Sequence, residues 1–182
     1  MQGGQVAAAR AGEYVKGLTT SAESVSSKFF DQQVKKEEEK NDELLRMRGK
    51  ENPYQIWEEM GRIMTDNVTV VRHNKKLEET DRALQELIKK MKDLNMNDAS
   101  KWVNQTLVFT RQLLNMLPIA RVITLGALAR NESRGAHYKP DFPNRDDANW
   151  LKTTVAKWTP NGPQLSYEPV DTSLLMPRER KY

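Results

Sequence analysis

The segment from Ala99 to Arg130 constrains the fold more than any other part of the chain. Trp102, Val103, Leu107, Leu113, Leu114, Leu117, Val122, Leu125 and Leu128 leave little of its circumference polar. A helix that is apolar over most of its surface has to be surrounded by other elements. The segment therefore reads as the central helix of a bundle. Pro118, in its middle, is expected to kink or divide it, because proline removes an amide donor and clashes with the preceding turn.

The surrounding helices are found upstream. Ile56, Met60, Ile63 and Met64 recur at spacings of three and four, with Trp57 beside them. Asn52 is placed to cap that helix, Pro53 suits its first position, and Gln55 stands where a capping box needs it. Val68, Val70 and Val71 then weaken the helix and mark a change of direction. A second amphipathic helix runs from Lys75 to Leu94, with Leu77, Leu84, Leu87, Ile88 and Met91 on one face. Met60, Met64, Met91 and Met116 sit at core spacings and read as gap-fillers. Asn95-Met96-Asn97-Asp98 is a polar connector, with Asp98 expected to cap the central helix.

Further upstream, Ala22–Arg48 reads as a long helix with a narrow apolar stripe of Val25, Phe29, Phe30 and Val34, ended by Gly49. Ahead of a break at Thr19-Thr20-Ser21, Gly3–Leu18 presents a face of small residues, Ala7, Ala8, Ala11 and Gly12, with no N-cap before it. A helix cut from something larger and a frayed tail both fit that pattern. After Asn131 the helical period disappears. Two segments, Trp150–Trp158 and Gln164–Val170, flank Thr159-Pro160-Asn161-Gly162-Pro163 and predict a β-hairpin. The fold class expected is mainly α: an antiparallel bundle of three to four helices, then an irregular arm, then a short C-terminal β-hairpin. Divided by residue, this gives 1–20 as the end of one helix, 21–131 as the bundle, and 132–182 as arm, hairpin and basic tail.

The chain of 182 residues has no cysteine and two histidines, His73 and His137. A disulfide framework, a thiolate zinc site and a cysteine-held iron–sulfur cluster are excluded, and a histidine-rich metal site cannot be assembled. The net charge of +4 invites a nucleic-acid reading. However, acidic and basic residues alternate in Lys35–Lys40 and Leu77–Lys92, a pattern typical of solvated helix faces. No nucleic-acid partner is expected. No apolar run is expected to reach the roughly 20 residues that cross a bilayer, and the N-terminus lacks the pattern of a secretory signal. The G-x-G-x-x-G and G-x-x-x-x-G-K-[ST] phosphate loops are missing. Ser133 lies near His137 in sequence, but nothing supplies an oriented base or an oxyanion hole.

The densest polar constellation runs from Arg130 to Pro143. In one reading Arg134 and His137 face a carboxylate or phosphate, which a guanidinium fork can grip with two bonds. In the other, Glu132, Arg134 and His137 form a buried hydrogen-bonded network pinning the arm to the bundle, because irregular backbone needs such partners. The second is favoured, with Arg130, Glu132, Arg134, His137 and Asp141 as the structural polar cluster. No residue is assigned to catalysis, to a cofactor or to a metal.

The run NMLPIARVITLGALARNESRGAHYKPDFPNRDDANWLKTTVA, from Asn115 to Ala156, is similar to the C-terminal signature of succinate dehydrogenase and fumarate reductase flavoproteins. ENPYQIWEEMGRIMTDNVTVVR, from Glu51 to Arg72, resembles the helix that opens their C-terminal helical domain. GGQVAAARAGEYVKGL, within residues 1–20, resembles the end of the helix that closes their flavin-binding domain. Tyr138-Lys139-Pro140 looks closest to bacterial members that work with a quinone. The resemblance implies a longer protein with an FAD-binding domain, a mobile capping domain and this helical domain, oxidising succinate to fumarate. It implies FAD in the full-length protein, with the catalytic and flavin-binding positions ahead of residue 1, so that this segment alone binds no cofactor and is inactive. Implied partners are the chain's own FAD-binding and capping domains, an iron–sulfur subunit and a membrane anchor subunit. Implied too is a peripheral place on the cytoplasmic side of the bacterial plasma membrane, held through those partners. The arm from Glu132 to Asp147 is expected to fold back on the bundle, and the charges of Lys35–Lys40 to help dock the iron–sulfur subunit. Fumarate reductase, L-aspartate oxidase and a free-standing helical interaction module are the alternatives.

Overall fold

The computed structural model describes residues 2–21, 24, 26–174 and 177–178. The expected helix start at Ala22, Val25 of its stripe and most of the basic tail fall outside them. The order of elements is α1 (Gln2–Lys16), α2 (Ser27–Arg46), α3 (Pro53–Val68), α4 (Asn74–Lys90), a 3-10 turn (Met91–Asp93), α5 (Gln105–Ala129), α6 (Asp147–Trp150), β1 (Lys152–Lys157) and β2 (Gln164–Pro169). The chain divides into two compact units, residues 1–43 and 44–182, with the division falling inside α2. The first holds α1 and most of α2, and its apolar residues Val6, Tyr14, Val15, Phe29, Phe30 and Val34 are exposed.

The second unit is a three-helix core with an arm and a hairpin. Ile56 and Met60 of α3, Leu84 and Leu87 of α4, Met91, Leu94, and Leu113, Leu117 and Ala120 of α5 form one buried cluster. All but Leu94 and Ala120 are positions that the apolar pattern of the sequence marks. Val68, Leu77 and Ala127 form a second cluster towards the other end of the same helices. Asp81 on α4 accepts from Arg121 Nε at 2.7 Å and Nη2 at 3.2 Å, a two-bond pair that fixes the register of α4 on α5. α3 begins as its sequence dictates: the Asn52 side chain accepts from the Tyr54 amide at 2.8 Å, with Pro53 in the first turn. β1 and β2 pair antiparallel from Lys152↔Pro169 to Lys157↔Gln164, and the turn between them uses Gly162 at φ 110°.

Four expectations are corrected. Of the kink or division expected at Pro118, the division is absent, and the central helix runs unbroken from Gln105 to Ala129. That helix is also long and apolar enough to cross a membrane by length and composition. Here, however, its Thr110, Leu113, Leu117, Ala120, Thr124 and Ala127 are buried, and Arg121 is paired with Asp81. The cap of α5 is Asn104, not Asp98. Asn104 Oδ1 accepts from the Leu107 amide at 2.8 Å, while its amide group donates to the Asp98 and Ser100 carbonyls, each at 2.9 Å. Asp98 instead closes a tight turn onto the Ser100 amide. Trp102 and Val103 therefore lie outside the helix, 85 % and 79 % exposed, with Val103 at φ 51°. Finally, α2 ends at Arg46 and Gly49 is not its stop. Gly49 lies in an extended brace, its amide bonded to the Leu94 carbonyl at 2.8 Å.

Asn104 thus serves the helix and the loop at once. Asn104→Ala should lower the unfolding free energy by about 2 kcal/mol, the upper end of a lost cap. Asn104→Asp, which keeps the acceptor but loses the two donors, should cost roughly half as much. Urea denaturation of the two variants checks the ranking.

Candidate functional site

The polar residues gather where α5 ends and the arm begins. Glu132 is completely buried, and a buried carboxylate is tolerated only when its lone pairs are filled. Arg134 fills two of them in parallel, from Nε at 2.9 Å to Oε1 and from Nη2 at 3.0 Å to Oε2. Arg130 Nη1 donates to Oε1 at 2.5 Å, and the Asp146 amide to Oε2 at 3.0 Å. Burial alone would raise the Glu132 pKa. The Arg134 fork, the Asp146 amide and Arg130 together outweigh it and hold the carboxyl below its usual range.

The two arginines carry the network outward. Arg130 Nη1 also donates to the Trp150 carbonyl at 2.9 Å and Nη2 to the Lys152 carbonyl at 2.5 Å, with the guanidinium 5.3 Å from the centre of the Trp150 ring. One side chain thereby ties α5 to the start of the hairpin. Arg134 Nη2 donates to Asp147 Oδ1 at 2.6 Å, and Arg145 Nε donates to the same oxygen at 2.7 Å. Arg145 and then Arg134 hold the Asp147 carboxyl well below its usual range. Asp146 caps α6 by accepting from the Asn149 amide at 3.0 Å.

His137 and Lys139 sit on the bundle side of the arm. Arg134 and His137 exchange backbone hydrogen bonds of 2.8 Å and 3.0 Å. They do so across a turn with Gly135 at φ 59°, where glycine carries no steric penalty. His137 contacts Arg72 through Nδ1 and the Arg130 carbonyl through Nε2. Lys139 is 1 % exposed. Its ammonium donates to the Leu128 carbonyl at 2.9 Å and to Asn131 Oδ1 at 3.1 Å, so it caps the C-terminal end of α5. Burial, the largest influence, and the charge of Arg72 lower its pKa to about 8.

The structure thus brings Arg130, Glu132 and Arg134 into one contact group and sets His137 against its edge. It does not bring in Asp141, whose carboxylate is largely exposed and lies 3.9 Å from His73. Arg72, Lys139, Asp146 and Asp147 join the group, beyond the members expected from the sequence. The Asp-Asp pair ahead of a short helical turn carries a capping signal, and a basic residue just beyond a helix end, as Arg72 is, carries a weaker one. Among the described residues no three His, Cys, Asp or Glu side chains converge as a metal would need. A separate groove of about 310 Å³ lies at the opposite end of α5, lined by Val103, Asn104, Gln105, Val108, Phe109 and Gln112. It carries no charged side chain and does not touch the polar group.

Residues 57–182 match the sequence profile of the family described as fumarate reductase flavoprotein C-term. The chain belongs to that family. Among its relatives, the succinate dehydrogenase flavoprotein subunit of Bacillus subtilis (strain 168) is 56 % identical over 99 % of this chain and 31 % of its own length. A fumarate reductase flavoprotein subunit of Helicobacter pylori (strain J99) is 41 % identical over 70 % of this chain and 18 % of its own. A structure of E. coli quinol fumarate reductase superposes with a TM-score of 0.79 at 30 % identity, covering 85 % of this chain and 27 % of that one. The chain therefore spans about a third or less of the relatives that it matches, and it matches this family's C-terminal domain. The mainly α fold with a C-terminal hairpin agrees with the expectation from sequence.

Proposed function

We propose that this chain is the helical C-terminal part of an FAD-dependent succinate dehydrogenase flavoprotein, and that it contributes architecture and no catalytic group. The observation that carries the reading is the closure of the polar cluster in a chain so similar to a succinate dehydrogenase subunit. Each oxygen of the Glu132 carboxylate accepts two hydrogen bonds, and both terminal nitrogens of Arg130 donate, all within the chain itself. A group that met substrate would keep a lone pair or a proton free to do so. The arm folded on the bundle by this cluster would present one fixed surface to the rest of the flavoprotein. The described residues carry no glycine-rich strand-to-helix turn of the kind that cradles a dinucleotide. The FAD, the capping domain and the groups that take hydride and proton from succinate are placed in the part that the relatives have beyond this match. An iron–sulfur subunit and a membrane anchor subunit would receive the electrons, with the complex on the cytoplasmic side of the bacterial plasma membrane. Fumarate reductase is the second reading, favoured by the Helicobacter pylori likeness.

The test is a denaturing gel of native membrane extract, probed with an antibody to residues 44–174 and viewed for flavin fluorescence. A fluorescent band several times the size of this chain, whose immunodepletion removes succinate-dependent dye reduction, is the expected result. A non-fluorescent band of this chain's own size would overturn the proposal.

A further inference from the structure

Both ring nitrogens of His137 are committed, and their partners fix which one carries the proton. Nε2 lies 3.0 Å from the Arg130 backbone carbonyl, which only accepts, so Nε2 is the N–H. Nδ1 faces Nη1 of Arg72, which only donates, so Nδ1 is bare. The ring is neutral for a geometric reason. Arg72 cannot easily turn aside, because its Nε and Nη2 donate to the Val68 and Thr69 carbonyls, each at 2.9 Å, at the end of α3. Beside this contact the backbone joins too: the Arg72 amide bonds the Tyr138 carbonyl at 2.9 Å and the Tyr138 amide bonds the Val70 carbonyl at 3.3 Å. The His137 side chain therefore closes the seam between the arm and the turn after α3.

A proton on Nδ1 would set N–H against N–H and bring two positive charges into contact. We propose that His137 is a proton-operated latch, which holds the arm to the end of α3 when neutral and releases it when charged. The charges around the ring favour that sense. The end of α5 contributes Arg130, the turn after α3 contributes Arg72 and His73, and the arm contributes Glu132, Arg134, Lys139 and Asp141. The carboxylates are engaged elsewhere, Glu132 by Arg130 and Arg134 and Asp141 at 3.9 Å from His73. Burial, the largest influence, pushes the imidazole below the usual histidine range. The Arg130 carbonyl pulls it up, and the charges of Arg72, Lys139 and Arg130 push it down further.

The sign follows from linkage. The docked state excludes a proton that the released state binds with ordinary affinity, near pH 6.5. Docking is therefore complete above that pH and weakens below it, by at most about tenfold per pH unit for one proton. Hydrogen exchange of the intact protein between about pH 7.5 and about pH 5, corrected for intrinsic rates, reads this directly. The protection of the Arg72 and Tyr138 amides should fall about tenfold per unit in the lower part of that range, while α4 amides hold theirs. His137→Gln, which cannot titrate but can both donate and accept, should flatten the profile. His73→Gln should leave it as in the parent. In case the His137 variant docks poorly at every pH, NMR titration of His137 in the parent protein gives a second reading. Its midpoint should coincide with the loss of Tyr138 protection and rise in Arg72→Gln. A parent profile that stays flat to about pH 5, an unchanged fall in His137→Gln, or titration of His137 with the arm still protected would each overturn the latch.

Discussion

Replacing Glu132 with alanine is expected to lower the unfolding free energy of residues 44–182 by about 3–5 kcal/mol, the range for removing one partner of a buried ion pair. The size follows from what is left behind. Arg134 would lose both prongs of its fork, Arg130 would lose its carboxylate, and the Asp146 amide would be left without an acceptor. Two guanidinium groups would then face each other with no charge between them. Glu132→Gln should cost less, about 1–3 kcal/mol, since an amide oxygen keeps one acceptor while its NH₂ opposes a donor. A pH signature separates this from a simple packing loss. The folded carboxyl is held below its usual range, so its contribution is present above the usual glutamate range and is lost as pH falls through the folded pKa. The alanine variant should lack that acid limb, and urea denaturation over a pH series reads both effects.

Gly49→Ala should be nearly as damaging, at about 3 kcal/mol, by a different route. A Cβ at Gly49 would stand 2.0 Å from the Asp93 carbonyl oxygen and 2.3 Å from its carbon. Those are backbone atoms, which no rotamer change can move away. The strand-like brace from Arg48 to Glu51 would have to lift. That would break the Gly49–Leu94, Glu51–Asp93 and Asn95–Glu51 hydrogen bonds, of 2.8, 2.9 and 2.8 Å. Leu94, fully buried beneath the brace, would be uncovered. Gly61 gives the control: nothing lies within 4 Å of its added Cβ. Gly61→Ala in α3 should therefore stabilise by roughly 0.5–1 kcal/mol, the ordinary helix preference for alanine. Parallel urea curves of the two variants should shift in opposite directions.

These two sites show what could be read in the sequence and what could not. Asn52-Pro53 announced α3 because a cap is local chemistry, complete within three residues. The Thr159–Pro163 turn announced the hairpin for the same reason. Gly49 looked like a helix stop because glycine often is one, but its reason is a backbone about 45 positions further along the chain. Asp98 and Asn104 could both cap by residue type. The decision rested on the amide donors of Asn104, which bind the Asp98 and Ser100 carbonyls, and aspartate has none. Pro118 did not divide α5, because packing of Leu113, Leu117 and Ala120 against α3 and α4 favours a continuous helix over the local preference of proline. In the polar cluster, Glu132 and Arg134 could be grouped because they are neighbours in sequence. Arg72 lies 65 residues from His137, and no spacing rule links them.

On the reading proposed above, the polar cluster fastens the arm and takes no part in chemistry. Succinate turnover per bound flavin decides this, measured in the full-length flavoprotein proposed above carrying Glu132→Gln or Arg134→Ala. Less assembled, flavin-bearing protein and a lower melting temperature are expected, with turnover per flavin close to that of the parent. Normal assembly and melting with turnover per flavin down a hundredfold or more, as loss of a general acid or base gives at about 10²–10⁴, would contradict it.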